Sequence, residues 1–190
     1  MEDPHAAPGR LEQLRSFINT ADLDKGIEPR TGADELASWC AQSTLSCASV
    51  PAEGLQPLRE FREALRDIAF ANAGQGDLAS SWAALEPFAA QTSFKIRITQ
   101  AGVPRLSPQG EGVEGTIAVL MAIVYDAVAA GTWPRLKACR EENCRFAFYD
   151  NSKNASGAWC SMAVCGNRNK AKRRRARAKS GGFGVLDTPR

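Results

Sequence analysis

Four cysteines near the C-terminal end constrain this 190-residue chain more than any other feature. They form two pairs of equal spacing, Cys139-x4-Cys144 and Cys160-x4-Cys165, with fifteen residues between the pairs. Zinc accepts four thiolates in a tetrahedron, and two chelating pairs joined by a loop provide that arrangement. The spacing therefore predicts a small module around one structural zinc ion, because four protein ligands leave no open position for catalysis. The alternative is four unrelated or buried thiols.

The residues around these cysteines predict which basic side chains stabilise the thiolates and which aromatic side chains pack near the metal site. We expect five flanking basic residues to stabilise the thiolates, namely Lys137, Arg140, Arg145, Arg168 and Lys170. Between the pairs, Phe146 and Phe148 have the spacing of one face of a short strand, and an Asp-Asn turn follows. Trp159 is expected to cover the site. Tyr149 and Trp159 are expected to belong to the core of the module, although either could instead stack on a nucleic-acid base.

Charge divides the chain into two parts. Residues 1–136 contain 11 basic and 17 acidic residues, a net charge of −6. Residues 137–190 contain 13 basic and 4 acidic residues, a net charge of +9. An acidic body with a basic end is typical of a protein whose end meets a polyanion.

The basic residues are concentrated in residues 168–179, where eight of twelve are Lys or Arg and none is acidic. On a helix, Arg168, Lys172, Arg175 and Lys179 would form one continuous ridge. A solvated, solubilising tail, or a nuclear-import signal in a eukaryote, is the alternative. Because the segment begins three residues after Cys165, zinc would fix its direction, which favours contact with nucleic acid. The predicted contact residues are Asn167, Arg168, Lys170, Lys172, Arg173, Arg174, Arg175, Arg177 and Lys179.

The first 135 residues have mostly the spacing of amphipathic helices. Helices are predicted at about residues 11–18, 34–42, 58–72, 78–88 and 116–130, with the last as the central core helix. Asp77 is expected to cap the fourth helix, in which Leu78, Trp82 and Leu85 form the buried stripe. Cys40 and Cys47 are expected to be small buried hydrophobic residues.

A different period begins at Phe94. Phe94, Ile96 and Ile98 alternate with polar residues, which predicts a half-buried strand in a hairpin over about 94–107. The predicted fold is therefore mainly α. It comprises a helical N-terminal domain with a small β-hairpin (1–135), a small four-cysteine zinc-finger module with a basic C-terminal helix (136–180) and a disordered tail (181–190).

Several functions are disfavoured by what the sequence lacks. His5 is the single histidine, so a Ser-His-Asp relay, a Cys-His pair and an HExxH zinc site are excluded. Catalysis by carboxylates alone is the alternative that stays open, but the acids are expected to be solvated surface charges, so we expect no enzyme. His5 itself is expected to be solvated at a mobile terminus. The apolar run 117–130 is too short to span a bilayer and contains Asp126, and the first residues do not resemble a secretory signal. A cytoplasmic protein without a membrane partner is predicted.

The segment 159–168 (WCSMAVCGNR) closely resembles the signature of the CGNR zinc-finger proteins. The segments 136–139 (LKAC) and 143–145 (NCR), with the tripeptide FYD at 148–150, fit the same family. Its members are mostly bacterial and carry an N-terminal, largely helical ABATE domain, whose opening motif residues 17–20 (FINT) resemble. The resemblance implies zinc at the four cysteines and a role as stress-induced transcription regulators.

One departure from the family pattern concerns the loop before the third cysteine. Similar proteins carry several arginines there, whereas this chain has SKNASGA at 152–158. Phosphate contacts are therefore expected from the helix after Arg168 instead.

The leading hypothesis is a zinc-dependent DNA-binding regulator, nucleoid-associated in the cytoplasm, whose helical body senses a ligand or partner. One alternative is an RNA- or ribosome-associated factor that stacks bases on the aromatic loop. Another is a small-molecule-binding protein in which the finger is only structural.

Overall fold

A computed structural model describes residues 3–24 and 35–180, without the side chains of residues 179 and 180. The helices are α1 (Leu11–Ile18), α2 (Glu35–Gln42), α3 (Gln56–Asn72), α4 (Leu78–Ala83), α5 (Glu86–Ala90), α6 (Gly112–Ala129) and α7 (Asn167–Ser180). The strands are β1 (Phe94–Ile98), β2 (Pro104–Pro108), β3 (Leu136–Ala138) and β4 (Ala147–Tyr149). Shorter 3-10 turns cover Ser46–Ser49, Ala52–Leu55 and Trp133–Arg135. Of the residues that the structure describes, 54% are helical, so the prediction of a mainly α fold is confirmed. The predicted disordered tail at 181–190 lies outside the described residues.

The core lies between α1, α3 and α6. Phe17, Phe61 and Leu120 are among its fully buried side chains, and the apolar stripes of α1 and α3 lie at the predicted positions. By length and composition α6 is the one described helix that could cross a membrane. Half of that span is buried inside the protein, as expected for a central core helix.

The fourth predicted helix is two helices. Asp77 caps α4 as expected, because its carboxylate accepts hydrogen bonds from the N–H groups of Ala79 and Ser80. The helix ends at Ala83, and α5 begins anew with Pro87 near its start. Leu78 is exposed, so its predicted place in a buried stripe was wrong.

The predicted hairpin exists, but it is not half-buried. β1 and β2 pair antiparallel with Ile96 opposite Leu106. Ile96 and Ile98 are 73% and 66% exposed, so the alternation at this point predicted the strand correctly and its burial incorrectly. A two-stranded ribbon has no third strand, and only β2 lies against α6.

Cys40 and Cys47 are both buried, as predicted, but they are not free thiols. The structure joins them in a disulfide between α2 and the turn Ser46–Ser49. The expectation of two unpaired hydrophobic residues was therefore wrong. Residue spacing alone could not reveal this, because the bond depends on the sharp reversal of the chain after Gln42.

The cysteine-rich segment is packed directly onto the helical body. β3 and β4 form a second antiparallel ribbon, of which the sequence predicted only β4. Leu136, Ala147 and Tyr149 belong to the same buried cluster as the side chains of α1, α3 and α6. The domain boundary near residue 135 stays a prediction.

The N-terminal segment lies against this ribbon. The N–H of Tyr149 donates to the carbonyl of His5, and the His5 ring contacts Phe148 edge to face at 5.5 Å between centroids. Arg15 of α1 also contacts this segment, because a nitrogen of its guanidinium group lies 2.7 Å from a carboxylate oxygen of Asp3. The expectation of a solvated His5 was wrong because the chain start is an integral part of the packing around β4.

Candidate metal centre and basic helix

The four predicted ligands lie together. The sulfur atoms of Cys139, Cys144, Cys160 and Cys165 are all within 4.8 Å of one another. The Sγ atoms of Cys144 and Cys160 are 3.6 Å apart, and those of Cys160 and Cys165 are 3.8 Å apart. A tetrahedral ion with Zn–S bonds of about 2.3 Å requires sulfurs about 3.8 Å apart. The cluster therefore has the ligands and the dimensions of a structural zinc site.

Main-chain N–H groups surround the first two sulfurs. Besides the neighbouring thiols, main-chain hydrogen bonding from Cys160 and Glu141 lowers the pKa of Cys139, and that from Phe146 opposes the rise in the pKa of Cys144. The turn is closed by the N–H of Cys144 bonding to the carbonyl of Glu141 at 2.8 Å. The short turn between β3 and β4 thus brings both thiols close to main-chain N–H groups. Such donors stabilise a thiolate.

The acid–base properties of the four thiols require a cation. Hydrogen bonds from the thiols of Cys144 and Cys160 lower the pKa of Cys139 to about 2. Donating to Cys139 raises the pKa of Cys144 to about 12, and it raises that of Cys160 as well. Burial raises the pKa of Cys165. All four sulfurs can ionise together only around a positive ion, which is the chemistry of a thiolate-bound divalent metal.

The second pair of cysteines is positioned by a wide turn. Residues Met162–Gly166 form one π-helical turn, capped by the Ser161 hydroxyl, which accepts from the N–H of Val164 at 3.3 Å. α7 follows this turn directly. Phe146 and Trp159 pack against the sulfur cluster, so the prediction that Trp159 covers the site is confirmed.

A buried ion pair holds the loop between the two pairs. Lys137 Nζ lies 2.8 Å from a carboxylate oxygen of Asp150, and both side chains are buried. Lys137 also donates to the carbonyls of Ala155 and Gly157. Burial alone would raise the pKa of Asp150, but hydrogen bonds from Lys137, Ser152 and Gly157 outweigh it and lower that pKa. The loop path is therefore fixed by charge as well as by the metal ligands.

The flanking cations do not serve the thiolates in the way the sequence suggested. Lys137 pairs with Asp150, and Arg140 donates to the carbonyl of Ala73 at the end of α3. Arg145 pairs with Asp67, and its guanidinium lies 4.4 Å from the centroid of the Phe70 ring. Arg140 and Arg145 thus attach the cysteine-rich module to α3, whereas Lys137 holds a loop within the module; sequence spacing does not encode these structural roles.

Two family models match the chain. One, described as "CGNR zinc finger", matches residues 135–178, which include all four cysteines. The other, ABATE, is described as "Putative stress-induced transcription regulator" and matches residues 15–132. The chain belongs to the ABATE family. The ABATE domain is followed by a CGNR finger, in the order that the resemblance implied. No curated protein matches the chain.

The start of the basic helix is tied to the rest of the CGNR finger and to the ABATE domain. Arg168 donates to both carboxylate oxygens of Asp24, at 2.7 and 3.3 Å, and these bonds raise its pKa. Lys172 Nζ lies 2.5 Å from the carboxylate of Glu141, whose side chain is 2% exposed. Asn167 donates its amide to the carbonyl of Ala163. Three of the predicted nucleic-acid contacts thus already have partners within the protein.

The remaining predicted contacts lie on the exposed length of α7. The described residues with this exposure are Lys170, Arg173, Arg174, Arg175 and Arg177. The side chain of Lys179 is outside the described part of the chain. An exposed cationic helix beside a metal-fixed turn can bind phosphate groups, since Lys and Arg are the main phosphate ligands of proteins.

The aromatic residues of the finger are mostly internal. Phe148 and Tyr149 are 1% and 6% exposed, and Tyr149 is part of the core of the ABATE domain. The interpretation of Tyr149 as a core residue is therefore correct, and base stacking on it is sterically blocked. Trp159 is half-buried against the sulfurs.

Several residues that build the site are not apparent from the sequence. Asn19, within the FINT motif, accepts from the N–H of Ala147 at 2.7 Å and donates to its carbonyl at 2.9 Å. Arg66 is fully buried and reaches the carbonyl of Arg145. Arg66 follows Leu65 at the edge of the apolar stripe of α3, and a charged residue next to such a stripe is the one available signal.

Proposed function

We propose that the protein is a DNA-binding transcription regulator in which the zinc-bound CGNR finger presents α7 to duplex DNA. The observation that carries the proposal is the position of α7, which starts one residue after Gly166 in the turn that bears Cys165. Each residue from Lys170 to Ala178 is exposed, and none of them is acidic. This helix has no apolar stripe to pack on a core, and its first residue is held by the zinc-bound turn. Such a helix is suited to binding a polyanion.

A binding role is proposed rather than a catalytic one. Four thiolates fill the tetrahedral positions of zinc and leave none for a substrate. The imidazole of His5 contacts Phe148 rather than a nucleophile. In this proposal the protein acts in the cytoplasm, associated with the nucleoid.

The test is a selection from random duplex DNA with the zinc-loaded full chain, competed with RNA. Neutralising roughly six phosphates predicts a slope of about −5 when the logarithm of the binding constant is plotted against that of the salt concentration. An enriched motif supports a sequence-specific regulator, and binding without enrichment supports a backbone-binding accessory factor instead. A slope near zero contradicts DNA binding altogether. RNA that competes better than duplex would favour the RNA-associated alternative.

We further propose that the ABATE domain responds to a small ligand. A surface cavity of about 500 Å³ lies between the N-terminal segment, β2 and α6, within the size range of small-molecule sites. Its wall includes Leu11, Leu106 and Ile123. At its rim, Asp126 pairs with Arg105 at 3.3 Å and with Arg10 at 4.0 Å. Two arginines and one carboxylate beside an apolar wall suit a small aromatic carboxylate.

Thermal-shift measurements on the zinc-loaded full chain, with benzoate and related aromatic carboxylates as probes, test this second proposal. Ala130→Leu narrows the cavity from an exposed position and serves as the matched control. We expect stabilisation of the wild type and less of the variant. If no probe shifts the melting temperature, the proposal is contradicted. A protein partner is then the remaining candidate effector of the ABATE domain.

A further inference from the structure

Two basic residues of α7 form ion pairs with residues outside the helix, and both lie on one side of it. Arg168 contacts Asp24 and Lys172 contacts Glu141. At 3.6 residues per turn, these two positions are only about 40° apart around the helix axis. The side of α7 that they define therefore faces the protein body.

Glu141 makes this attachment strongly directional. Its carboxylate is buried, and within the described residues one of its oxygens has no hydrogen-bond partner while the other accepts from Lys172. A buried carboxylate without its cation is costly, so Lys172 is held to the body more firmly than an exposed lysine would be to a phosphate.

The opposite side of α7 carries a second set of cations. Lys170, Arg173, Arg174 and Arg177 lie at spacings of 3, 1 and 3, which places them on one face of the helix. The centre of this face is about 170° from the side of Arg168 and Lys172. The four side chains line a surface groove of about 310 Å³, open to solvent.

We infer that this face, formed by Lys170, Arg173, Arg174 and Arg177, is the phosphate-binding face of the protein. Arg168 and Lys172 instead orient the helix by holding its first turns on the body. The inference rests on the proposed function and narrows the prediction from sequence, which listed nine contact residues on α7 and placed Arg168, Lys172, Arg175 and Lys179 on one continuous ridge. Phosphates are expected to sit in the groove between the four side chains, where several N–H groups converge.

Neighbouring arginines provide a matched test. Arg174 lies on the phosphate-binding face, whereas Arg175 lies about 40° from the centre of the body-facing side. Both side chains are exposed. Arg174→Gln and Arg175→Gln therefore remove the same charge from adjacent positions without disturbing the core. Each variant is compared with the wild type by fluorescence anisotropy, using the zinc-loaded full chain, a mixed-sequence duplex and a series of salt concentrations.

The quantity compared is the slope of the logarithm of the binding constant against the logarithm of the salt concentration. We expect Arg174→Gln to reduce its magnitude by about 0.9, and the double variant Arg173→Gln/Arg174→Gln to reduce it by about 1.8. Arg175→Gln should leave the slope unchanged and alter affinity by no more than about twofold, since a charge off the interface acts only through screened attraction. Zinc content and circular dichroism should match the wild type in all three.

The two levels of the proposal fail in different ways. If the wild type binds duplex with the expected slope but Arg174→Gln and Arg175→Gln lose equal parts of it, the assignment of the face is wrong and DNA binding stands. If Arg175→Gln loses more, the ridge predicted from sequence is the true interface. If the wild type shows no salt-dependent binding, the proposed function fails and the face assignment fails with it.

Discussion

The guanidinium group of Arg66 donates a hydrogen bond of 3.0 Å to the main-chain carbonyl of Arg145, the residue that follows the second cysteine. The same side chain, fully buried, also donates to the carbonyls of Ile18 and Ala21 at the end of α1. Its remaining N–H group pairs with Glu63 at 3.0 Å. One buried arginine thus joins the end of α1, the middle of α3 and the first pair of zinc-site cysteines, and so contacts both the ABATE domain and the finger.

Arg66→Met should destabilise the protein by about 3–5 kcal/mol, because three main-chain carbonyls lose their donor and each group left buried without one costs about 1–3 kcal/mol. Urea unfolding with saturating zinc measures the change. Arg97→Met, at an exposed position of the β1–β2 hairpin, is the control and should stay within about 0.5 kcal/mol of the wild type. Equal effects of the two substitutions would show that the Arg66 contacts contribute nothing to stability.

The same network predicts a dependence of stability on pH. Burial would raise the pKa of Glu63, but the positive charges and hydrogen bonds of Arg66 and Arg62 outweigh it and lower that pKa. A carboxyl group whose pKa is lowered on folding stabilises the protein above its unfolded-state pKa of about 4.3, and this contribution is lost as the pH falls through the folded-state value. Because the Glu63 side chain is 43% exposed, we expect about 1 kcal/mol or less.

Comparison with Glu63→Gln isolates this effect, since both proteins carry the same zinc site and any acid-induced loss of zinc is common to them. The difference in their unfolding free energies should be constant between about pH 5 and 6 and should shrink below about pH 4.3. A difference that does not change over this range would contradict the assignment of the ion pairs to Glu63.

The sequence predicted the elements of the fold better than their surroundings. The apolar stripe of α1 and the N-cap of α4 at Asp77 depend only on local residue spacing, and the structure has both at the predicted positions. Ile96 has the alternation of a half-buried strand, yet it is exposed, because burial depends on whether another element covers that face. The disulfide of Cys40 and Cys47 likewise depends on a chain reversal that no residue pattern announces.

The same limit applies to the metal centre. The four cysteines are recognisable because thiolate pairs at fixed spacing have few other uses. The partners of Arg168 and Lys172 are not recognisable, because Asp24 lies 144 residues from Arg168 and Glu141 lies 31 residues from Lys172. Helix periodicity groups these two cations correctly on one side, but only the tertiary structure shows that this side faces the protein.

Asn19 forms a second connection between the two regions. Its amide makes a pair of hydrogen bonds with the main chain of Ala147, at the outer edge of β4, as a neighbouring strand would. Asn19→Ala leaves a buried N–H and a buried carbonyl without partners, so a loss of about 1–3 kcal/mol is expected for each group that water cannot reach. Asn154→Ala, in the exposed loop of the finger, is the matched control and should be neutral.

Unfolding curves of Asn19→Ala recorded separately by tryptophan fluorescence and by absorbance of a cobalt-substituted cysteine site would show whether the finger responds. We expect both signals to shift together. A shift in fluorescence alone would mean that Asn19 stabilises only the ABATE domain.

Gly157 is constrained by the carboxylate of Asp150. A Cβ atom at this position would lie 2.8–2.9 Å from the carboxyl atoms of Asp150, whose buried position leaves little room to move. Gly157→Ala should therefore cost about 1–3 kcal/mol through overpacking and through a weakened Lys137–Asp150 pair. Ser156→Ala, one residue earlier and exposed, should change stability by no more than about 0.5 kcal/mol in the same urea titration. A neutral Gly157→Ala would indicate that the loop moves freely around Asp150.

Zinc removal should weaken the ABATE domain as well as the finger. In isolated fingers, zinc binding supplies about 10–16 kcal/mol of folding free energy. Here Leu136 and Tyr149 of the finger strands are part of the common core, and Asn72 of α3 donates to the carbonyls of Trp133 and Leu136. A finger that unfolds would expose this side of α3, so chelation is expected to lower the melting temperature of the whole helical signal. In Cys144→Ala, which lacks one ligand, the chelator should have little further effect. A helical transition that keeps its melting temperature after chelation would show that the two regions are in contact without being thermodynamically coupled.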